Sequence, residues 1–252
     1  MPQIDLNADL GESYGPWTMG EDAKMLSIVT SANIACGGHA GDANTMVETT
    51  RIARENGVKI GAHPGYADRE GFGRRIIPMT KSEISNMVAT QIGALRSAAA
   101  LSNADVVYVK PHGMLNNFSC VDEDTASAIV HAVKAAHPDL AMLAISGTLL
   151  ETHAKDAGLT TFSEIFADRG YTEAGTLVSR DQPGAMITCP DEAANRLTAF
   201  AKSGRMPTIS GDDIALEAHS ICVHGDSAHA VAMAARVRDA LSDDGITVTS
   251  FL

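Results

Sequence analysis

Short apolar runs recur along the chain at spacings that leave room for a helix between them: Ile4 to Leu6, Ser31 to Cys36, Val58 to Ala62, Asp105 to Val109, Leu140 to Ile145, Thr161 to Phe166, His219 to Val223 and Ile246 to Phe251. Each has strand length and is mostly apolar on both faces, the pattern of strands buried in a parallel sheet. The intervening segments are punctuated as helices. Asp42 caps a helix that runs to about Asn56 and stops at Gly57, and Thr80 with Glu83 forms a capping-box pattern before a segment ending near Ser102. Thr148 with Glu151 repeats that signal, and Asp226 precedes a helical stretch from Ala228 to Leu241. Strand then helix, seven or eight times without a composition break or linker, predicts one α/β domain over residues 1–252, either a (β/α) barrel or an open doubly wound sheet.

The polar residues decide between the two. Almost every run ends in a burst of chemistry: Asn7 to Glu12, Gly37-Gly38-His39, Ala62-His63-Pro64, Lys110-Pro111-His112, Ala167-Asp168-Arg169 and Val223 to Asp226. In a barrel these ends meet around one mouth, whereas an open sheet strings them along an edge, so the pattern favours a single barrel of about seven strands. Two connections, His63 to Thr80 and Asp168 to Thr188, exceed plain βα loops and read as lids or binding loops.

Composition narrows the function classes. The 252 residues carry 19 Lys plus Arg against 31 Asp plus Glu, a net charge of −12, which argues against nucleic acid or an anionic membrane surface as partner. A hydrophobic share of 45% supports a real core, and an aromatic share of only 4% disfavours an all-β sandwich. Pro2 to Glu12 has no secretion-signal character, no stretch has the length of a membrane span, and the four cysteines are scattered, so a reducing, cytoplasmic setting is expected. Neither a G-x-x-x-x-G-K-[ST] nor a G-x-G-x-x-G fingerprint occurs, so the chain has no recognisable nucleotide cradle of its own.

Four of the nine histidines, His39, His63, His112 and His224, lie close to a strand C-terminus, where imidazole can bind metal, shuttle protons or orient substrate. Any one alone reads as a satisfied polar residue at a helix entrance; four at equivalent places do not. Asp9 and Glu12 are close enough in sequence to split acid and base roles, although Glu12 alone is equally a turn cap. Asp226 reads first as an N-cap. Asp9 with His39 and His63 also forms a candidate metal triad, without the tight spacing that would make a zinc site legible. Arg69, Arg74, Arg75, Lys110, Arg169 and Arg180 concentrate in the same segments of this acidic chain, a set suited to a small anionic substrate. Pairing with Asp68, Glu70, Asp168 and Asp181 accounts for some of them. Lys110 and Arg180 are preferred as ligand contacts over Arg69, while Cys36 and Cys222 read as buried.

Taken together, Asp5 to Glu12, Asn33 to Asp42, Gly61 to Pro64 through Gly71 to Arg75, Val109 to Gly113, Glu164 to Arg169 and Val223 to Asp226 closely resemble the LamB/YcsF family in order and over nearly the whole chain. The departures, Ala67, Met114 and Asn116, are local. The resemblance implies a barrel of the glycoside hydrolase and deacetylase type. It also implies one component of a cytoplasmic 5-oxoprolinase, working with subunits B and C to convert 5-oxo-L-proline to L-glutamate at the expense of ATP. On that basis Asp9, Glu12, His63, His112 and His224 are the expected catalytic residues, with Asn7, His39, Arg74, Lys110 and Arg180 on the substrate. A divalent metal stays open. The competing expectations are a metal-dependent, deacetylase-like hydrolase and a non-catalytic protein that presents substrate to its partners.

Overall fold

In a computed structural model, which describes residues 3–225 and 229–252, strand β1 (Gln3–Leu10) sorts its side chains by the two-residue period of a strand. Ile4, Leu6, Ala8 and Leu10 join the main apolar core, whereas Asp5, Asn7 and Asp9 are buried and bonded to polar groups of other strands. The chain continues through α1 (Asp22–Met25), β2 (Ser31–Ala35), α2 (Ala43–Glu55), β3 (Lys59–His63), α3 (Lys81–Leu101) and β4 (Val106–Val109). Then come α4 (Gly113–Ser119), α5 (Glu123–Ala136), β5 (Ala141–Ile145), α6 (Leu149–Asp156), β6 (Thr161–Phe166) and α7 (Pro190–Ser203). Last are β7 (Arg205–Pro207), β8 (Asp213–Ala215), β9 (Ser220–His224), α8 (Ala230–Asp243) and β10 (Thr247–Val248).

Strands β1 to β6 pair in sequence order, and β9 pairs in parallel with both β6 and β1, closing a seven-stranded (β/α) barrel. The first seven apolar runs supply this ring. The eighth shrinks to β10, which pairs with Gln3 and Ile4 at the start of β1, and Phe251 beyond it packs on Tyr108 and Phe162. The antiparallel ribbon β7–β8 has no counterpart among the apolar runs. Among the described residues no helix is long and apolar enough to cross a membrane.

The helix signals are realised unequally. Asp42 accepts a bond from the Thr45 amide, and Thr80 with Glu83 makes a complete capping box. Thr148 does not: its hydroxyl donates to the Ile145 carbonyl (2.7 Å), while Glu151 accepts from the Gly147 amide (2.7 Å), so the reciprocal pair is never formed. The Asp226 cap and the helix start at Ala228 lie outside the described residues.

Beneath the mouth, the barrel interior holds a polar ladder. Asp5 accepts from the hydroxyls of Thr30, Ser31 and Ser220, Asn7 donates to Ser220, and Asn33 donates to Asn7 and Asp9. Burial pushes the Asp5 carboxyl up to about 6 against the pull of those hydroxyls. The folded chain therefore binds this proton more tightly than the unfolded chain. The contribution of Asp5 to stability falls as pH rises from the ordinary value of 3.8 to about 6, by roughly 3 kcal/mol, and is level above that. Urea unfolding of the native chain and Asp5→Asn at stepped pH should show the variant gaining relative stability across this window and none beyond it. A pH-independent difference contradicts the assignment.

Candidate active site

The floor of the mouth is organised by a buried ammonium. Lys110 follows β4 and is 1% exposed, with Nζ 2.9 Å from Asp9 Oδ1, 3.0 Å from Cys222 Sγ, 3.1 Å from Glu164 Oε2 and 3.4 Å from Asn7 Oδ1. Burial works against its charge, but Asp9 foremost among its neighbours holds it well above the usual lysine range. Burial likewise raises the Asp9 carboxyl, yet His63 and Lys110 outweigh it and hold Asp9 well below the carboxylate range. Glu164 goes the other way: burial and the nearby Asp9 push it up to about 7, despite Lys110. Two carboxylates around one ammonium thus titrate far apart.

Above the floor, His39, His63, His112 and Glu12 converge, one ligand atom from each lying within 4.8 Å of the others. Backbone carbonyls set the orientation of two of these imidazoles. His63 Nδ1–H donates to the Lys110 carbonyl (2.7 Å) and His112 Nε2–H donates to the Phe72 carbonyl (2.9 Å). The remaining nitrogens, His63 Nε2 and His112 Nδ1, face each other across 3.0 Å, and His63 Nε2 also lies 3.4 Å from Asp9 Oδ2. His39 stacks on His112 at 3.5 Å and meets Glu12 Oε1 at 3.1 Å, and its buried Nδ1 has no partner among the described residues. Burial, reinforced by neighbouring imidazoles, keeps His39 and His112 well below the usual histidine range and so neutral. Three converging imidazoles beside a carboxylate form a donor set that fits a divalent ion.

The loop after β3 is shaped to lie on these rings. Phe72 has a positive φ of 54°, rare for a bulky residue, which presents its carbonyl to His112 while its ring stands edge-on to His39 and His112. A Cβ at Gly73 would sit 2.8 Å from the Cβ of His39, and one at Gly65 would sit 2.7 Å from its Nδ1, so neither position accommodates a side chain.

Across the mouth stands a second polar group. His224 Nδ1–H donates to both oxygens of Asp168 (2.8 and 3.0 Å), and its Nε2 accepts from Arg180 Nη2 at 3.2 Å. Burial raises the Asp168 carboxyl, but His224 more than offsets this and holds it below its ordinary value. Between the two groups lies a cavity of about 580 Å³ bordered by Asp9, His63, His112, His224, Arg74, Arg169 and Arg180. Burial and the neighbouring Arg180 push the Arg169 guanidinium down to about 10.

The expected site residues separate accordingly. Asp9, His63, His112, His224, Arg74, Lys110 and Arg180 border the cavity. Lys110, expected to grip a substrate anion, instead has its ammonium engaged by the floor. Asn7, expected on the substrate, is fully buried in the ladder below, and His39 is 1% exposed behind His112. The expected metal set Asp9, His39 and His63 is regrouped: Glu12 and His112 join the two histidines, and Asp9 belongs to Lys110. Arg69 lies over the Tyr14 ring and bonds the Gly37 carbonyl, and Arg75 pairs with Asp68. Cys36 and Cys222 are buried free thiols.

The sequence profile of the LamB/YcsF family matches residues 4–252. The chain belongs to the LamB/YcsF family. The A-subunit of 5-oxoprolinase from Gluconobacter oxydans (strain 621H) is 51% identical over 97% of this chain and 96% of its own length. The solved Lactam Utilization Protein from Thermus thermophilus is 40% identical, covers 99% of this chain and 100% of its own, and superposes with a TM-score of 0.94. A T48 deacetylase at 15% identity, covering 99% of this chain and 88% of its own with a TM-score of 0.52, shares the barrel fold.

In this LamB/YcsF chain, Glu164 and Asn33 are polar site residues that the sequence pattern leaves unassigned, and Asp168, expected to pair with a loop arginine, instead holds His224. A carboxylate inside the apolar run Thr161 to Phe166 and the Asp5-Asn7-Asp9 alternation are the available signals of a polar interior. The donor set predicts that the metal-free chain takes up one zinc or manganese equivalent in calorimetry, and that His112→Ala weakens uptake by more than about 100-fold. Equal affinity in the variant contradicts the grouping.

Proposed function

We propose that this chain is the ring-opening component of an ATP-dependent 5-oxoprolinase, converting 5-oxo-L-proline to L-glutamate together with subunits B and C. The observation that carries the reading is the cavity itself: three arginines on an otherwise acidic chain surround a space that also meets an oriented histidine. The names of the full-length relatives supply the substrate.

A five-membered lactam is a resonance-stabilised amide, so water attack requires activation of the carbonyl. Phosphorylation of its oxygen by ATP on the partner subunits provides that activation, in keeping with the absence of a phosphate-loop motif here. The phosphorylated lactam carries a carboxylate and a phosphoryl group, anions that suit Arg180 and Arg74. Water attacks C5 and gives its proton to His224 Nε2, whose far N–H is fixed on Asp168. The resulting imidazolium lies in the field of Asp9 and Glu164 and returns the proton to the ring nitrogen as the C5–N bond breaks. This leaves an acyl phosphate, which a second water hydrolyses to glutamate and phosphate. Glu12, His39, His63 and His112 would hold a divalent ion, which would supply Lewis acidity when bound.

The same donor set supports a second reading, a metal-dependent hydrolase of the deacetylase kind, marked by chelator-sensitive turnover without ATP. Glutamate release from 5-oxoproline and ATP should appear only when this chain is mixed with subunits B and C. His224→Gln should lower it by about 10²- to 10⁴-fold with the fold intact. Full activity of a folded His224→Gln complex, or of B and C without this chain, contradicts the reading.

A further inference from the structure

His224 is held at both ends. Its Nδ1–H lies between the Asp168 oxygens, its ring lies over Phe166 at 5.4 Å, and the outward lone pair on Nε2 is covered by Arg180. A lone pair that accepts from a guanidinium cannot also take a proton from water. The segment carrying Arg180 is pinned below its tip: the Ile187 amide bonds the Asp168 carbonyl at 2.9 Å, and buried Arg169 donates to the carbonyls of Val178 (2.6 Å) and Ala185 (3.3 Å). Arg180 itself is exposed, on the turn closed by the bond from the Gln182 amide to the Ser179 carbonyl. A guanidinium binds a carboxylate through two charge-assisted bonds and a neutral imidazole through one weaker bond, so a carboxylate entering the cavity outcompetes His224.

We propose that Arg180 is a substrate-operated cap on His224 and that Asp168 is the positioning residue that aims this imidazole. The carboxylate of the bound lactam draws Arg180 off Nε2 and thereby frees the lone pair that receives the proton of the attacking water. Ring opening is thus coupled to recognition of the carboxylate, and an uncharged lactam leaves the base covered. Besides Asp168 and Arg180, the charged groups whose fields reach His224 include Asp9 on β1 and Glu164 on β6, neither of which bonds it. This inference rests on the lactam reading above.

The test is nitrogen NMR of the ¹⁵N-histidine-labelled chain, with His224 assigned through His224→Gln. Arg180→Ala should move the Nε2 resonance toward that of a lone pair without a donor. Saturating 5-oxo-L-proline should move the native chain the same way, and 2-pyrrolidinone, which lacks the carboxylate, should not. An unchanged signal in Arg180→Ala overturns the cap, and no response to 5-oxo-L-proline or an equal response to 2-pyrrolidinone overturns the trigger. In the assembled complex, Asp168→Asn should lower kcat by about 10²- to 10⁴-fold with KM little changed, and Asp168→Glu should recover part of it. A loss confined to KM contradicts the positioning role. Failure of the lactam reading looks different: no mixture yields glutamate, yet the Arg180→Ala signal still moves.

Discussion

A lysine ammonium sealed inside a barrel must be neutralised where it stands, and the mouth of this molecule is arranged around that requirement. Lys110 is reached by Asp9 from β1, Glu164 from β6 and Cys222 from β9, while its own carbonyl accepts from His63 on β3. Five strands are thereby referenced to one residue. Removing a single partner from such a buried set costs about 3–5 kcal/mol, because the remaining charge is left without compensation. The same set fixes which carboxylate stays ionised: Asp9 takes the ion pair, and Glu164 is pushed up to about 7.

From this floor two groups of imidazoles rise with different orientations. Backbone carbonyls turn His63 and His112 so that their other nitrogens converge, which suits them to an ion. A carboxylate turns His224 so that its other nitrogen meets Arg180 at the edge of the cavity, which suits it to protons. The side chains are of one type, and the partner on the far nitrogen separates their chemistry. The arginines between the groups give an acidic protein a locally cationic pocket, suited to a small anionic ligand.

Much of this is legible in the sequence. Parallel-strand runs and the polar residues at their ends lead to a seven-stranded barrel with one mouth, because strand direction forces those ends together. Thr80 and Glu83 are readable as a cap because both partners lie within one turn, whereas Thr148 finds a nearer acceptor in the Ile145 carbonyl. The roles of Lys110 and Asn7 are less readable. Whether a lysine at a strand end faces ligand or floor depends on Glu164 and Cys222, more than fifty residues away, and Asn7 differs from Asp9 only by one step down the same face of β1. Ring tautomers depend on loop carbonyls such as that of Phe72, which sequence pattern does not encode.

On the proposed reading, activation of the lactam and opening of its ring are separate tasks, and opening belongs to the mouth of this barrel. A complex carrying His224→Gln, with ADP and glutamate followed together, separates them. 5-Oxoproline should still elicit a stoichiometric burst of ADP while glutamate fails to form. Glutamate at the native rate, or loss of both products in parallel, contradicts it.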